Sequence, residues 1–577
     1  MRVLFPLALA AAIRLAGAQP TAPSILSLDD LKPGQQGEVW TVFKGTQPEP
    51  FSVEVTGVVR NALGPGKSLI LCQLTDPRVQ NMGAVAGMSG SPLYIDGKLA
   101  GALSYQIQRF ETVRYAGFTP AADLAEVRDR LSSATTATPL ATAATSPYSL
   151  LQPVFTLSGL SPGVAELFAP RLAALGLNAT ALGGSISPSA LSSQPATLAS
   201  SPLRPGSAVS VALATGDITL AGTGTVSSVD GEHLTAFGHA MLSLGEVALP
   251  LCSAEIVAIL PSSMQSIKVA NTGPVIGTIS QDRLSAVFGT LGAGPAMTAV
   301  EVTVASLHGR SRSLHFSVAR QQQLTPVLVA AGVTQAITGA NDSGLANGFR
   351  LTSDVTFPTA AKLATETLYS GPQGFAEGLN EFVQGLTANL QNPYEKTFPD
   401  HVSFSVEPLD ENPAITLDLF QISRATARAG EAIQATLSWR DFQGATHRET
   451  FDVPIDPNWA GKQLEVVLAP GRAMDELTGR PRLIAASELR SFDAYLAAIR
   501  DGRPTDGVCL ALVEKAELFS DQTVATPDTP GSIERIARGA DEARFQTRDA
   551  VLPLWERHLL AGKLATTVIR RPLRIVE

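Results

Sequence analysis

The chain has 577 residues, with 43 Lys and Arg against 52 Asp and Glu for a net charge of -9, and it is 45% hydrophobic but only 16% charged. At about 150 residues per domain this length accommodates about three or four domains with real cores, which excludes disorder throughout. An acidic balance without any Lys/Arg-rich run excludes a protein that tracks nucleic-acid phosphates, because such proteins need a concentrated cationic face to release counterions.

With 49 Gly and 39 Pro, the composition predicts many short strands and turns in preference to long helices, so the expected fold class is mainly β. The chain opens on Met1-Arg2, an apolar stretch from Val3 to Leu15 that holds Arg14, and Ala16-Gly17-Ala18 before Gln19. A positive start, a short apolar run and a small-x-small site read as a secretory signal peptide over 1–18, cleaved after Ala18. No later segment reaches about 18 uninterrupted apolar residues, so the mature chain is expected to be secreted or periplasmic, with no integral membrane segment. Cys72, Cys252 and Cys509 are far apart and odd in number, which leaves neither a disulfide framework nor a Cys-x-x-Cys metal pair.

Residues 19–131 read as a first β module, in which Phe51, Val53 and Val55 alternate and Leu69-Ile70-Leu71 marks a further strand. Leu93-Tyr94-Ile95, Asp96-Gly97 and Lys98-Leu99-Ala100 form a hairpin signal, since Asp-Gly accepts the positive φ angles of a tight turn. Residues 132–205 read as a linker biased toward Ala, Thr, Ser and Pro, with one helix inside it. That helix starts at Ser161-Pro162, carries Val164, Leu167, Phe168, Leu172 and Leu175 on one face and stops at Gly176, with Pro170 able to kink it.

A second β module follows over 206–320, with a hairpin signal at Val229-Asp230-Gly231-Glu232. Its glycines at 222, 224 and 289–294 suit barrel corners and bulges; no Lys-Ser/Thr follows to make a phosphate loop, so nucleotide binding is discounted. Residues 321–397 are a mixed region whose Phe375, Leu379, Phe382, Val383, Leu386 and Leu390 keep helical spacing. Short alternating strands at 402–406, 415–417, 433–437 and 451–453 read as a β-sandwich over 398–470. The final 471–577 read as a mixed α/β region, with a helix near 483–499 and a strand near 508–512.

Chemistry concentrates in Gly87-Met88-Ser89-Gly90-Ser91-Pro92. A serine nucleophile needs a tight, Gly-flanked turn that projects its Oγ into a cleft while backbone N–H groups converge to hold an oxyanion. Ser89 is the candidate nucleophile, and the N–H groups of Gly87 and Ser89 are the candidate oxyanion donors. A hairpin follows in place of the helix of a Gly-x-Ser-x-Gly elbow, which points to a two-barrel, chymotrypsin-like context. The His residues are scattered and no His-Glu-x-x-His occurs, so neither a metal nor another cofactor is expected.

The segment Gly83-Ala84-Val85-Ala86-Gly87-Met88-Ser89-Gly90-Ser91-Pro92-Leu93-Tyr94-Ile95-Asp96-Gly97-Lys98-Leu99-Ala100-Gly101-Ala102 closely resembles the nucleophile segment of the SpoIVB-type serine peptidases. The family introduces its catalytic histidine in a Gly-His pair, and the similar Ala236-Phe237-Gly238-His239-Ala240 here makes His239 the expected general base, with His233 a solvated bystander. An Asp precedes the family's nucleophile by a short segment, a place that Asp76 occupies here; before Pro77 it reads equally as a turn former, with Asp217, Asp230 and Asp282 as alternatives. The family's chain order is inverted, Ser89 preceding His239, which implies chymotrypsin-like half-sites rearranged as if permuted; a PDZ-like module is not evident.

The resemblance implies a secreted or periplasmic serine endopeptidase that takes protein or peptide substrates. The alternative is a non-catalytic envelope protein that keeps a peptidase-like barrel as a scaffold and uses its sandwich to contact an envelope protein partner.

Overall fold

Alternating burial along the chain turns its apolar pattern into strands, as in Met297–Val304, where every second side chain faces the core. The computed structural model describes residues 24–577 other than 108–112, 130–147, 152, 178, 181–183, 186–201, 263–264, 307–310, 339–346, 359–361, 372–382, 388–389, 391–396, 479–495, 497–499, 501, 521–524, 528 and 541–545. The signal segment, most of the linker and most of the helices expected near 375–390 and 483–499 lie outside the described residues. Among the described residues the protein is mainly β, in several sheets, and no helix is long and apolar enough to cross a membrane.

The first sheet contains β1 (Gln36–Val42), β2 (Pro48–Gly64), β3 (Lys67–Leu74), β4 (Pro92–Ile95), β5 (Lys98–Ile107), β6 (Tyr115–Pro120) and β7 (Tyr148–Leu150). Strand β4 pairs with β1 on one side and β5 on the other, so the hydrogen-bonded path β1–β2–β3–β6–β5–β4 returns to its start. Val39, Phe51, Ile70, Leu93 and Phe118 fill its interior, each contributing about 1.5–3 kcal/mol of transfer free energy. The β4–β5 turn is made by Asp96 and Gly97 at φ +50° and +74°, as the sequence predicts.

The second sheet begins with β8 (Val154–Ser158), β9 (Ala179–Thr180), β10 (Gly184–Ser185), β11 (Ala208–Gly216), β12 (Thr219–Asp230), β13 (His233–Ala236), β14 (Gly245–Leu260), β15 (Ile267–Arg283) and β16 (Ala286–Leu291). Here too the path β11–β14–β15–β16–β13–β12 returns to β11. A wing leaves β11 through β17 (Met297–Val304), β18 (Arg312–Ala319), β19 (Phe349–Thr356), β20 (Lys362–Tyr369) and β21 (His401–Pro408), and the helix Leu324–Thr338 buries most of its residues against it.

The helix of the linker region spans Pro162–Ala174 with Ser161 at its N-cap, and buries Val164, Phe168 and Leu172. Leu167 is instead 61% exposed, because the i, i+4, i+8 line makes the contact and Leu167 lies one step off it.

The remaining strands are β22 (Thr416–Ile422), β23 (Thr426–Arg428), β24 (Ala432–Arg440), β25 (Thr446–Pro454), β26 (Gln463–Ala469), β27 (Val508–Ser520), β28 (Ala525–Pro527), β29 (Gln546–Leu559) and β30 (Ile569–Val576). They form two sheets, β22–β24–β25 and one built on β23, β30, β26, β27, β28 and β29, that share one core. The strand at 402–406, expected in this sandwich, is β21 and pairs parallel to β17 and antiparallel to β19; the second sheet of the sandwich joins β23 and β26 to strands from the C-terminal hundred residues. Alternation marks both strands as half-buried and is silent about partners.

Candidate active site

The loop between the Pro77–Met82 helix and β4 alternates committed and free backbone donors. Ala86 donates its N–H to Ser266, Met88 to Val85, Gly90 to Leu103 at 2.7 Å and Ser91 to Met88, while among the described residues no acceptor meets the N–H of Gly87 or Ser89. Two donors, one residue apart on a turn held by its neighbours, are thus uncommitted.

This loop is docked on the second sheet. Thr225 donates its N–H to the Ser89 carbonyl at 2.8 Å and its hydroxyl to the Gly87 carbonyl, and Ser227 donates its hydroxyl to the Gly90 carbonyl. Gly90, at φ +94°, is required twice over: a Cβ there would collide with the backbone of Thr225 and Phe237. From the other side, the Thr119 hydroxyl donates to the Gly238 carbonyl at 2.7 Å. Ser89 and His239 therefore come from different sheets and are brought to one junction by a few residues on either side of each.

His239 follows a strained turn, with Phe237 at φ +70° and Gly238 at +68°. The Phe237 ring occupies the space that a side chain at Gly224 would fill, so this glycine seats the histidine loop and does not serve a bulge. His239 Nδ1 lies 2.7 Å from the Ala240 carbonyl, which can only accept, so Nδ1 carries the proton and Nε2 presents its lone pair. Burial lowers the His239 pKa, while the backbone carbonyls of Ala240 and Leu151 pull it back up; the ring is thus neutral near pH 7.

Ser89 is 0% exposed and His239 1%, and both Ser89 Oγ and His239 Nε2 are buried without a hydrogen-bond partner among the described residues, so in this state they do not bond each other. An unsatisfied buried polar atom costs about 1–3 kcal/mol, and two of them stand at this junction.

Asp76 stands elsewhere in the network. It is the N-cap of the Pro77–Met82 helix, its carboxylate accepting the Arg78 N–H at 2.8 Å and pairing with the Arg78 guanidinium. Burial alone would raise its pKa, but the Arg78 bonds and charge outweigh this and hold it below the usual carboxylate range. The turn-forming reading of Asp76-Pro77 thus describes its contacts, and a backbone carbonyl stands where a triad carboxylate would meet Nδ1.

Of the alternatives, Asp217 accepts the His315 N–H and Asp230 pairs with Arg128 at the surface. Asp282 is 1% exposed and receives the N–H groups of Met241, Leu242 and Leu244 at 2.7, 2.8 and 3.1 Å, so it anchors the loop that leaves His239. His233 is exposed and stacks on Phe288. The thiols of Cys72, Cys252 and Cys509 are free and buried. Among the described residues no group of His, Cys, Asp and Glu is arranged to hold a metal ion.

Residues 18–118 match the family model described as SpoIVB peptidase S55. The match covers the Ser89 loop and ends well before His239. No curated protein and no solved structure matches the chain.

Proposed function

We propose that the protein is a serine endopeptidase acting outside the cytoplasm, with its active site shared by two β modules. The observation that carries this is the docked Ser89 loop: free Gly87 and Ser89 donors, a partnerless Ser89 hydroxyl and, across the same junction, a neutral His239 with a bare Nε2. The two returning strand paths, each of six strands, support a pair of chymotrypsin-like barrels with the chain order rearranged.

In the reaction Nε2 takes the Ser89 proton, Oγ attacks the peptide carbonyl, and the displaced electron pair settles on an oxygen held by the Gly87 and Ser89 donors. The proton then passes from Nε2 to the leaving amine, and water repeats the sequence to release the acyl group. The Ala240 carbonyl orients the ring in place of a carboxylate, and Asp282 fixes the loop behind it. Because both groups are enclosed, substrate enters only when the junction opens, a step that gates turnover.

A fluorophosphonate probe on the full chain is expected to label Ser89, and Ser89→Ala to abolish labelling; a wild-type protein that never labels across a wide pH range favours the scaffold alternative. Export is supported by the character of residues 1–18 and is checked by N-terminal sequencing of protein recovered outside the cytoplasm, which should begin at Gln19.

A further inference from the structure

Lys268, near the start of β15, is wholly enclosed, and among the described residues its Nζ meets one partner, the Thr41 hydroxyl at 2.8 Å. A buried ammonium needs a counter-charge or several acceptors, and with a single hydroxyl the amine is the stable form. Burial, with no opposing charge, pushes its pKa down to about 7. The surrounding groups are neutral: Thr41 on β1, the Ala86–Gly87 backbone of the Ser89 loop, Ser266 beside it and Ile259 across on β14. The charged residues nearest along those strands are Glu38, which is exposed, Lys44, and Glu255, which pairs with Asn271.

The lysine is built into the Ser89 loop. Its N–H bonds the Ala86 carbonyl at 2.9 Å, and its stem lies along Gly87, where a Cβ would stand 3.0 Å from the Lys268 Cβ. Gly87 therefore leaves room for an amine-bearing chain two residues before a serine whose hydroxyl has no partner. A packing role alone would be met by an apolar side chain, without the cost of burying an amine.

We propose that Lys268 is an alternative proton acceptor for Ser89, taking the single Oγ proton in turnovers in which His239 does not. The step requires Nζ to leave Thr41 and reach the Ser89 hydroxyl. The Oγ proton moves to the Nζ lone pair, Oγ bonds the carbonyl carbon, and the carbonyl π pair moves to oxygen; as the C–N bond breaks, the ammonium returns its proton to the leaving nitrogen. An amine that titrates near neutrality is matched to this task at neutral pH.

This rests on the peptidase reading, and the rate of fluorophosphonate labelling from about pH 5 to about pH 10 separates the two. Lys268→Met, which keeps the bulk, is expected to slow labelling by about 10²-fold and remove the limb near neutrality, with Lys268→Arg failing to restore it. A Lys268→Met protein that labels within about two-fold of wild type at every pH, or an arginine variant that restores the rate, overturns the proposal while leaving the peptidase reading intact. Failure of the wild type to label overturns the reading itself. Should Lys268→Met not fold, Thr41→Val decides: losing a partner that stabilises the ammonium should move the limb to lower pH, and an unmoved limb overturns the proposal.

Discussion

Two basic side chains in this chain, one half-buried and one wholly enclosed, are treated in opposite ways. In the C-terminal module Arg503 reaches Asp475 and the Thr478 hydroxyl, and both oxygens of Glu556, at 2.7–3.0 Å, so each charge it faces is answered. At the junction of the first two modules Lys268 has one hydroxyl, and Ser89 Oγ and His239 Nε2 have nothing. A satisfied buried network is rigid and gains nothing from a visitor, whereas unsatisfied groups are stabilised by whatever completes them. What separates the two places is how far their hydrogen bonding is completed.

The contrast can be broken most forcefully at the junction. Gly90→Ala drives a Cβ into the Thr225 and Phe237 backbones and is expected to cost about 4 kcal/mol or more, with loss of Ser89 labelling; near-wild-type thermal unfolding would show that the two modules are not clamped there. Next, Arg503→Met leaves Asp475, 1% exposed, without its guanidinium and should lower stability by about 3–5 kcal/mol, while the labelling rate below the unfolding transition stays unchanged. A changed rate would tie the satisfied network to the chemistry. Smallest is Asp76→Ala, expected to cost about 1 kcal/mol through the lost helix cap with labelling within about two-fold of wild type. A loss of about 10³-fold or more in a folded Asp76→Ala protein would restore Asp76 as the orienting carboxylate.

Local chemistry was legible in the sequence, and partnership was not. Asp96-Gly97, Ser161-Pro162 and the Gly-flanked Ser89 announce turns and caps through their own backbone preferences, and the structure has each of them. The sheet that β21 joins, and the second sheet that 463–576 contribute to the sandwich, depend on pairings between distant segments that alternation does not encode. Asp76 carried two readings because the same residue type caps helices and orients histidines, and only its contacts separate them. Lys268 has a signal in the sequence: it is the one charged residue between Glu255 and Asp282, set among apolar and small polar neighbours.

The long β14–β15 pair touches both halves of the site, bonding the Ser89 loop through Ser266 and Lys268 at one end and the His239 loop through Asp282 at the other. During synthesis Ser89 leaves the ribosome about 150 residues before His239 and long before Arg283 closes this pair, and non-local contacts of that kind form late. A nascent chain carrying only the first module has Ser89 without His239, without Lys268 and without the Thr225 and Ser227 contacts that dock its loop. The junction is thus completed only after β15 has been translated and paired.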